Sequence, residues 1–210
     1  MPSVHSPIVL LCLCCVLGCS KQPAGGQAAP GGDPWASMPS VRRGSFRIYD
    51  KTRDAGQAGI EHDLYIGGKG ISPPRHFYTH SRAVDIILSN SERYLLLNDA
   101  FATKANKVVV VDIATGLQRD AGAEPLAEYR RTCNPDKRLW ILSVGKGFSP
   151  DDRCVLVEIE LVFVNTSDYA TAGELGDGFA RRWYLVSAGS GSVVSELKEA
   201  PSWYAGRTTR

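Results

Sequence analysis

Long blocks of one charge sign are missing from this 210-residue chain, and the formal net charge is only +2. Nucleic-acid binding depends on clustered lysine and arginine side chains, because these neutralise the phosphates. The composition therefore excludes an extended nucleic-acid footprint. It also gives no electrostatic indication of any other partner, since a strongly charged partner needs a surface of opposite sign.

The sequence motifs of common hydrolases are missing as well. No Gly-x-Ser-x-Gly sequence occurs, and no Ser-x-x-Lys sequence falls in a helical pattern. Cys133 and Cys154 lie too far apart for a redox pair of the Cys-x-x-Cys type. The sequence therefore predicts no catalytic residue and a protein that is not an enzyme. The alternative is a small hydrolase or metal-dependent enzyme of the cell envelope.

Histidines are few, and their spacing does not match a metal motif. On a strand, His76 and His80 share a face but lie about 13 Å apart, which is too far to chelate one ion. His62 stands between Glu61 and Asp63 and resembles no known set of ligands. The sequence predicts neither a metal site nor a cofactor.

One pair of carboxylates is worth weighing as an acid and base. Glu158 and Glu160 lie on the same face of an apolar strand. The opposite face carries Val155, Val157 and Ile159, which have the alternation of a half-buried strand. We therefore interpret the two glutamates as the solvent-facing side of that strand.

An apolar run long enough to span a membrane is also missing. Ile8–Leu17 is far shorter than the roughly 20 residues that cross a bilayer, and has the length of a signal-peptide core. It ends in Val16-Leu17-Gly18-Cys19, which resembles the lipobox of bacterial lipoproteins. The resemblance implies a signal peptide over residues 1–18 and a lipid on Cys19. The pattern departs from that family in having no lysine or arginine before residue 21.

The segment after Cys19 indicates how the folded part is held. Residues 19–40 are rich in glycine, proline and alanine, as in a flexible tether. Ser20, directly after the cysteine, resembles the sorting signal of enterobacterial outer-membrane lipoproteins. We therefore expect a protein of the cell envelope that is anchored by lipid to the outer membrane and faces the periplasm.

Cysteine usage fits an exported domain. Once the signal peptide is removed and Cys19 is acylated, only Cys133 and Cys154 remain. Thiols tend to pair in an oxidising compartment, so we predict a disulfide between these two. The alternative is that Cys154 is simply a small buried apolar residue at the start of a strand.

Strand patterns are abundant in the remaining chain. Residues 83–116 contain three apolar runs rich in β-branched residues, separated by turn sequences, and a fourth run follows Gly116. This stretch resembles one blade of a β-propeller of the WD-repeat type, which implies a scaffold and no particular reaction. Residues 138–200 repeat the order, with the turn at residues 149–152 matching residues 90–93.

Two such units are too few for a closed propeller. We therefore predict a mainly β fold with open antiparallel sheets, formed by two propeller-blade-like four-stranded units over residues 83–120 and 138–200. One short helix is expected around residues 124–131, where Pro125 suits a first helical turn. Residues 41–205 then form a single periplasmic domain, with further strand candidates at residues 44–50 and 61–67.

An insertion at residues 166–180 interrupts the second unit. Loops of this length without their own structure are often functional, and aromatic and arginine residues nearby are typical of interfaces. We expect the partner-binding surface to contain Asp168, Glu174, Asp177, Arg181, Arg182 and Tyr184. The sequence therefore predicts a lipid-anchored binding protein for a periplasmic protein partner, such as an immunity or inhibitor lipoprotein or an envelope-assembly accessory.

Overall fold

Three four-stranded antiparallel sheets make up the computed structural model, which describes residues 33–102, 105–133, 140–162 and 182–205. In each sheet, every strand pairs with the next one along the chain. Sheet 1 contains β1 (Ser40–Arg43), β2 (Phe46–Asp54), β3 (Ile60–Gly68) and β4 (Ile71–His80). Sheet 2 contains β5 (Val84–Leu88), β6 (Tyr94–Ala102), β7 (Ala105–Asp112) and β8 (Gln118–Asp120). Sheet 3 contains β9 (Trp140–Phe148), β10 (Cys154–Val162), β11 (Arg182–Ser187) and β12 (Val193–Leu197).

Helix α1 (Ala123–Cys133) follows sheet 2, and a short helix, α2 (Ser202–Ala205), follows sheet 3. The Asp120 carboxylate accepts hydrogen bonds from the amides of Gly122 and Ala123, at 3.0 and 2.9 Å, and so satisfies amides at the start of α1. The helix predicted around residues 124–131 is confirmed. No helix in the described ranges is long and apolar enough to cross a bilayer.

Sheet 2 lies in the middle and is buried on both faces. One face of β6 and β7 carries Leu95, Leu97, Val109 and Val111, which pack with the apolar side chains of sheet 1. The other face carries Leu96, Val108 and Val110, which pack with sheet 3. Because successive side chains of a strand point to opposite faces, a strand buried on both sides needs a continuous apolar run. The runs YLLL and VVVV provide it.

Sheets 2 and 3 use the same turn between their first two strands. The amide of Ser89 donates to the carbonyl of Tyr94, and the amide of Ser149 donates to the carbonyl of Cys154. Both turns hold an acidic residue at positive φ, at 60° for Glu92 and 57° for Asp152. The repeat predicted from the sequence is therefore present. In the structure Ser149 is equivalent to Ser89, whereas the sequence pattern had matched residue 149 with residue 90, so the predicted alignment is off by one residue.

These two acidic side chains each reach the preceding sheet. Glu92 accepts hydrogen bonds from the amide and hydroxyl of Ser45, and from the ammonium of Lys69 at 2.8 Å. The Lys69 and Ser45 hydrogen bonds lower the pKa of Glu92 to about 2. Asp152 accepts hydrogen bonds from the amides of Asn90 and Ser91. The same turn position thus joins sheet 2 to sheet 1 and sheet 3 to sheet 2.

Gly145 allows sheets 2 and 3 to approach closely. The side-chain amide of Asn98 donates to the Gly145 carbonyl at 2.8 Å and accepts from the Gly145 amide at 2.7 Å. A Cβ atom at position 145 would lie 2.9 Å from side-chain carbons of both Leu96 and Val108. Only glycine therefore fits here without displacing core side chains.

The mainly β class, the open antiparallel sheets and the four-stranded units are confirmed. The structure adds a further four-stranded sheet, sheet 1 over residues 40–80, where the sequence indicated only separate strands. Residues 72–74 contain two prolines, which rarely occur inside a sheet, yet they lie within β4. The physical reason is that β4 is an edge strand, on which a missing amide donor needs no partner.

Candidate functional site

Most of the predicted partner-binding surface cannot be placed. Asp168, Glu174, Asp177 and Arg181 lie outside the described residues. Arg182, at the start of β11, pairs with Glu196 at 2.6 Å, and its guanidinium lies 5.7 Å from the ring centre of Tyr129 in α1. Tyr184 is 0% exposed and packs in the core between sheets 2 and 3. Its assignment to a binding surface is therefore wrong, because its position on β11 faces the core.

The predicted disulfide is not seen in the described part of the chain. Cys154 is a half-buried free thiol at the start of β10, and burial raises its pKa. Cys133 ends α1, but its side chain lies outside what the structure describes. Cys154 is thus unbonded in this structure, and a bond to Cys133 in an oxidising compartment stays a prediction.

Glu158 is buried, which corrects its interpretation as a solvent-facing residue. Only 1% of it is exposed, and its carboxylate lies 2.6 Å from the ammonium of Lys146, which also contacts Glu160 at 2.7 Å. Lys146 is the extra residue of a β-bulge, since Gly145 pairs with Val157 while Gly147 pairs with Leu156. The bulge directs the lysine toward the two glutamates.

Electrostatics in this triad follow from its burial. Burial raises the pKa of the Glu158 carboxyl, and a hydrogen bond with Glu160 acts in the same direction. Burial opposes the charge on Lys146, but the two carboxylates outweigh it and raise the lysine pKa. A buried carboxylate held by an ammonium ion is closed to a substrate, so we assign these residues a structural role.

A cleft of about 830 Å³ opens where sheet 1, sheet 2 and the start of α1 meet. Its walls include His76, Tyr78 and Thr79 from β4, and Asp99 and Lys107 from sheet 2. A volume of this size is within the usual range for ligand pockets. The cleft is therefore lined by hydrogen-bonding side chains, which include the carboxyl group of Asp99 and the amino group of Lys107.

Asp99 is the most distinctive group of the cleft. It is 4% exposed, and Oδ2 accepts a 2.8 Å hydrogen bond from the hydroxyl of Tyr78. Burial, followed by the interaction with Asp99, raises the pKa of Tyr78. In the described ranges, Oδ1 of Asp99 has no hydrogen-bond partner. A buried acceptor without a partner is costly, and a ligand that donates to it would remove that cost.

Sequence reasoning missed this cleft. The available signal was the pair Asn98 and Asp99, two polar residues that directly follow the apolar run of β6. Sequence spacing also missed a cluster on sheet 1, where Asp50, His62 and His80 have the donor atoms that metal ions bind. His76 and His80 do lie on one strand, but the ring that stacks on His80 is that of His62, on the neighbouring strand β3.

Comparison with known proteins adds a distant structural likeness. No family model matches the chain, and no curated protein matches it. Among solved structures, it is similar to the β-propeller domain of the Trilobed protease from Pyrococcus furiosus, described as having an open velcro topology. The identity is 14% and the TM-score 0.43, over 78% of this chain and 42% of the other. This chain thus spans less than half of that one, and neither activity nor partners carry over.

Proposed function

We propose that this protein is a lipid-anchored binding protein of the bacterial cell envelope, which holds a protein partner in the cleft between sheets 1 and 2. The cleft is the observation that carries the proposal. It offers a buried acceptor on Asp99, and the residue paired with Asp99 across β6 and β7 is the exposed Lys107, so the cleft suits a polar chain segment with donors and acceptors.

Hydrogen bonding in the cleft favours binding over hydrolysis. Thr79 is a hydroxyl that could act as a nucleophile, and Nε2 of His76 lies 3.1 Å from it. The Thr79 hydroxyl, however, donates its proton to Asp63 at 2.7 Å, and this hydrogen bond lowers the pKa of Asp63. A carboxylate of lowered pKa is a weak base, so Asp63 does not activate the hydroxyl, and the proton is not directed toward His76. The arrangement therefore orders the side chains at the rim of the cleft.

Crosslinking from within the cleft tests the proposal. A photoreactive amino acid in place of Lys107, which is exposed in the cleft, should give a crosslinked protein product in intact bacterial cells. The same amino acid in place of Val194, which is 60% exposed on the edge strand β12, should give none. Equal products from both positions, or a product only from position 194, would contradict a partner site in the cleft.

Anchoring rests on the lipobox-like sequence that ends at Cys19. Cys19→Ser should leave an unprocessed precursor of lower electrophoretic mobility and abolish incorporation of labelled palmitate in bacterial cells. Cys15→Ser is the matched control, because it removes a thiol from the predicted signal peptide and should leave both processing and labelling unchanged. Normal processing and labelling of the Cys19→Ser protein would show that Cys19 is not the lipid site.

A further inference from the structure

Three adjacent strands of sheet 1 bring two histidines and one aspartate together. Asp50 lies on β2, His62 on β3 and His80 on β4, and their potential ligand atoms all lie within 4.8 Å of one another. We propose that this cluster is a binding site for one zinc ion. The proposal is independent of the partner site, since none of the three residues lines the cleft.

Strand register explains why the three residues meet. His62 pairs directly with His80, and Asp50 pairs with Leu64, two residues further along β3 than His62. Residues two apart on a strand share a face, so the aspartate is a diagonal neighbour of His62. Leu64 is buried in the core between sheets 1 and 2. The cluster therefore lies at the end of that core, on the inner face of the sheet.

His80 is prepared for metal binding by its surroundings. It is 7% exposed, and its Nδ1 hydrogen-bonds the main-chain carbonyl oxygen of Arg82. A carbonyl oxygen only accepts, so Nδ1 carries the proton and Nε2 is left with a lone pair. Within the described part of the chain, this buried Nε2 has no hydrogen-bond partner. Metal-bound histidines are commonly oriented by such a hydrogen bond from the other ring nitrogen.

Distances in the cluster are close to those of a zinc site. Nδ1 of His62 lies 2.9 Å from Oδ1 of Asp50, and the rings of His62 and His80 stack with centroids 5.0 Å apart. Bonds of about 2.0–2.2 Å to a tetrahedral ion place ligand atoms about 3.3–3.6 Å apart. The contact between His62 and Asp50, at 2.9 Å, is shorter than this spacing, and the 4.8 Å limit on the separation of the three ligand atoms is longer. Small side-chain rotations therefore suffice to bind the ion.

The donor set selects the kind of ion. Two imidazole nitrogens and one carboxylate oxygen suit zinc and similar divalent transition metals, whereas calcium and magnesium prefer oxygen ligands throughout. Three protein ligands leave a fourth position of a tetrahedral ion for water or a small ligand.

Solvent can reach the cluster from one side. The side chains of His62 and Asp50 are 30% and 42% exposed, whereas His80 forms the buried base. An ion can therefore enter without opening the sheet.

Zinc binding by the full-length chain, purified without a polyhistidine tag, tests the site. After equilibrium dialysis against zinc chloride, the wild-type protein should retain one equivalent of zinc. The His62→Gln and Asp50→Asn variants should bind zinc at least tenfold more weakly. Zinc should raise the melting temperature of the wild type and not that of the variants, because an ion that binds only the folded state stabilises it. Calcium chloride should have no such effect.

His76→Gln is the matched control, since His76 lies on the same strand as His80, is 47% exposed and is not in the cluster. It should bind zinc as the wild type does. His80→Gln should lose the ion too; if it fails to fold, the His62→Gln and Asp50→Asn variants, at half-buried positions, decide. Replacing zinc by cobalt should give ligand-field absorption without a thiolate charge-transfer band, which separates the site from the cysteines. Equal zinc retention by the wild type and His62→Gln would overturn the proposal.

Discussion

Lys146→Met should lower the free energy of unfolding by about 3–5 kcal/mol, because removing one partner of a buried ion pair leaves the other charge uncompensated. Glu158, 1% exposed, would lose the ammonium ion at 2.6 Å and remain beside Glu160. Urea denaturation followed by intrinsic fluorescence measures the effect, since tryptophan residues are present in sheet 3.

Two further variants distinguish the ion pair from lost packing. Lys51→Met, at an exposed position of β2, should change stability by less than about 0.5 kcal/mol. Lys146→Met combined with Glu158→Gln should be more stable than Lys146→Met alone, since the second change removes the buried charge. If the double variant is the less stable of the two, the lysine acts through packing rather than through its charge.

The pH dependence of the Lys146→Met variant gives an independent check of the same interaction. Without the ammonium ion, burial raises the folded-state pKa of Glu158 above its unfolded value. A group whose pKa is raised by folding contributes its full stabilisation below its unfolded-state pKa. That stabilisation is lost as the pH rises through the folded-state pKa. The stability gap between the variant and the wild type should therefore be smaller at pH 5 than at pH 8.

Asp152→Asn should lower the free energy of unfolding by about 2 kcal/mol, since hydrogen bonds to a charged group are each worth about 1.5–3 kcal/mol and asparagine keeps only one acceptor. Asp152 joins the first turn of sheet 3 to the amides of Asn90 and Ser91 in sheet 2. Asparagine tolerates the φ of 57° at this position, so the change isolates hydrogen bonding from backbone strain. Thermal and urea denaturation measure the loss.

Asp151→Asn is the matched control for this turn. The side chain of Asp151 bonds only within its own turn, to Ser149 and Arg153, in the contacts that the structure shows. Its replacement should leave the free energy of unfolding close to that of the wild type, because exposed ion pairs contribute little to stability. A cost equal to that of Asp152→Asn would show that the effect belongs to the turn and not to the link between sheets.

Acid should remove the contribution of Asp152. Burial works against the charged form, but the amides of Ser91 and Asn90 outweigh it and lower the pKa of this carboxyl. A carboxyl group whose pKa is lowered by folding stabilises the protein at pH values above its unfolded-state pKa of about 4. That stabilisation is lost as the pH falls through the folded-state pKa. The difference between the wild type and Asp152→Asn should be complete at pH 7 and shrink below about pH 4.

Local patterns determined much of this fold. Apolar runs separated by turn residues predicted the strands of sheets 2 and 3, because strand alternation and turn chemistry involve residues that are close in sequence. The helix at residues 123–133 was predictable for the same reason, from Pro125 and the order of charges along it. Predictions about the amino terminus, including Cys19, concern residues that the structure does not describe.

Pairing across strands and between sheets decided the rest. The His62 and His80 rings meet only because β3 and β4 align in register, and spacing along one strand carries no information about that neighbour. Glu158 looked solvent-facing because its strand alternates, yet it is 1% exposed. Asp99 became a candidate binding group through Tyr78 of another sheet. Burial and donor convergence depend on residues far apart in the chain, so only the tertiary structure sets them.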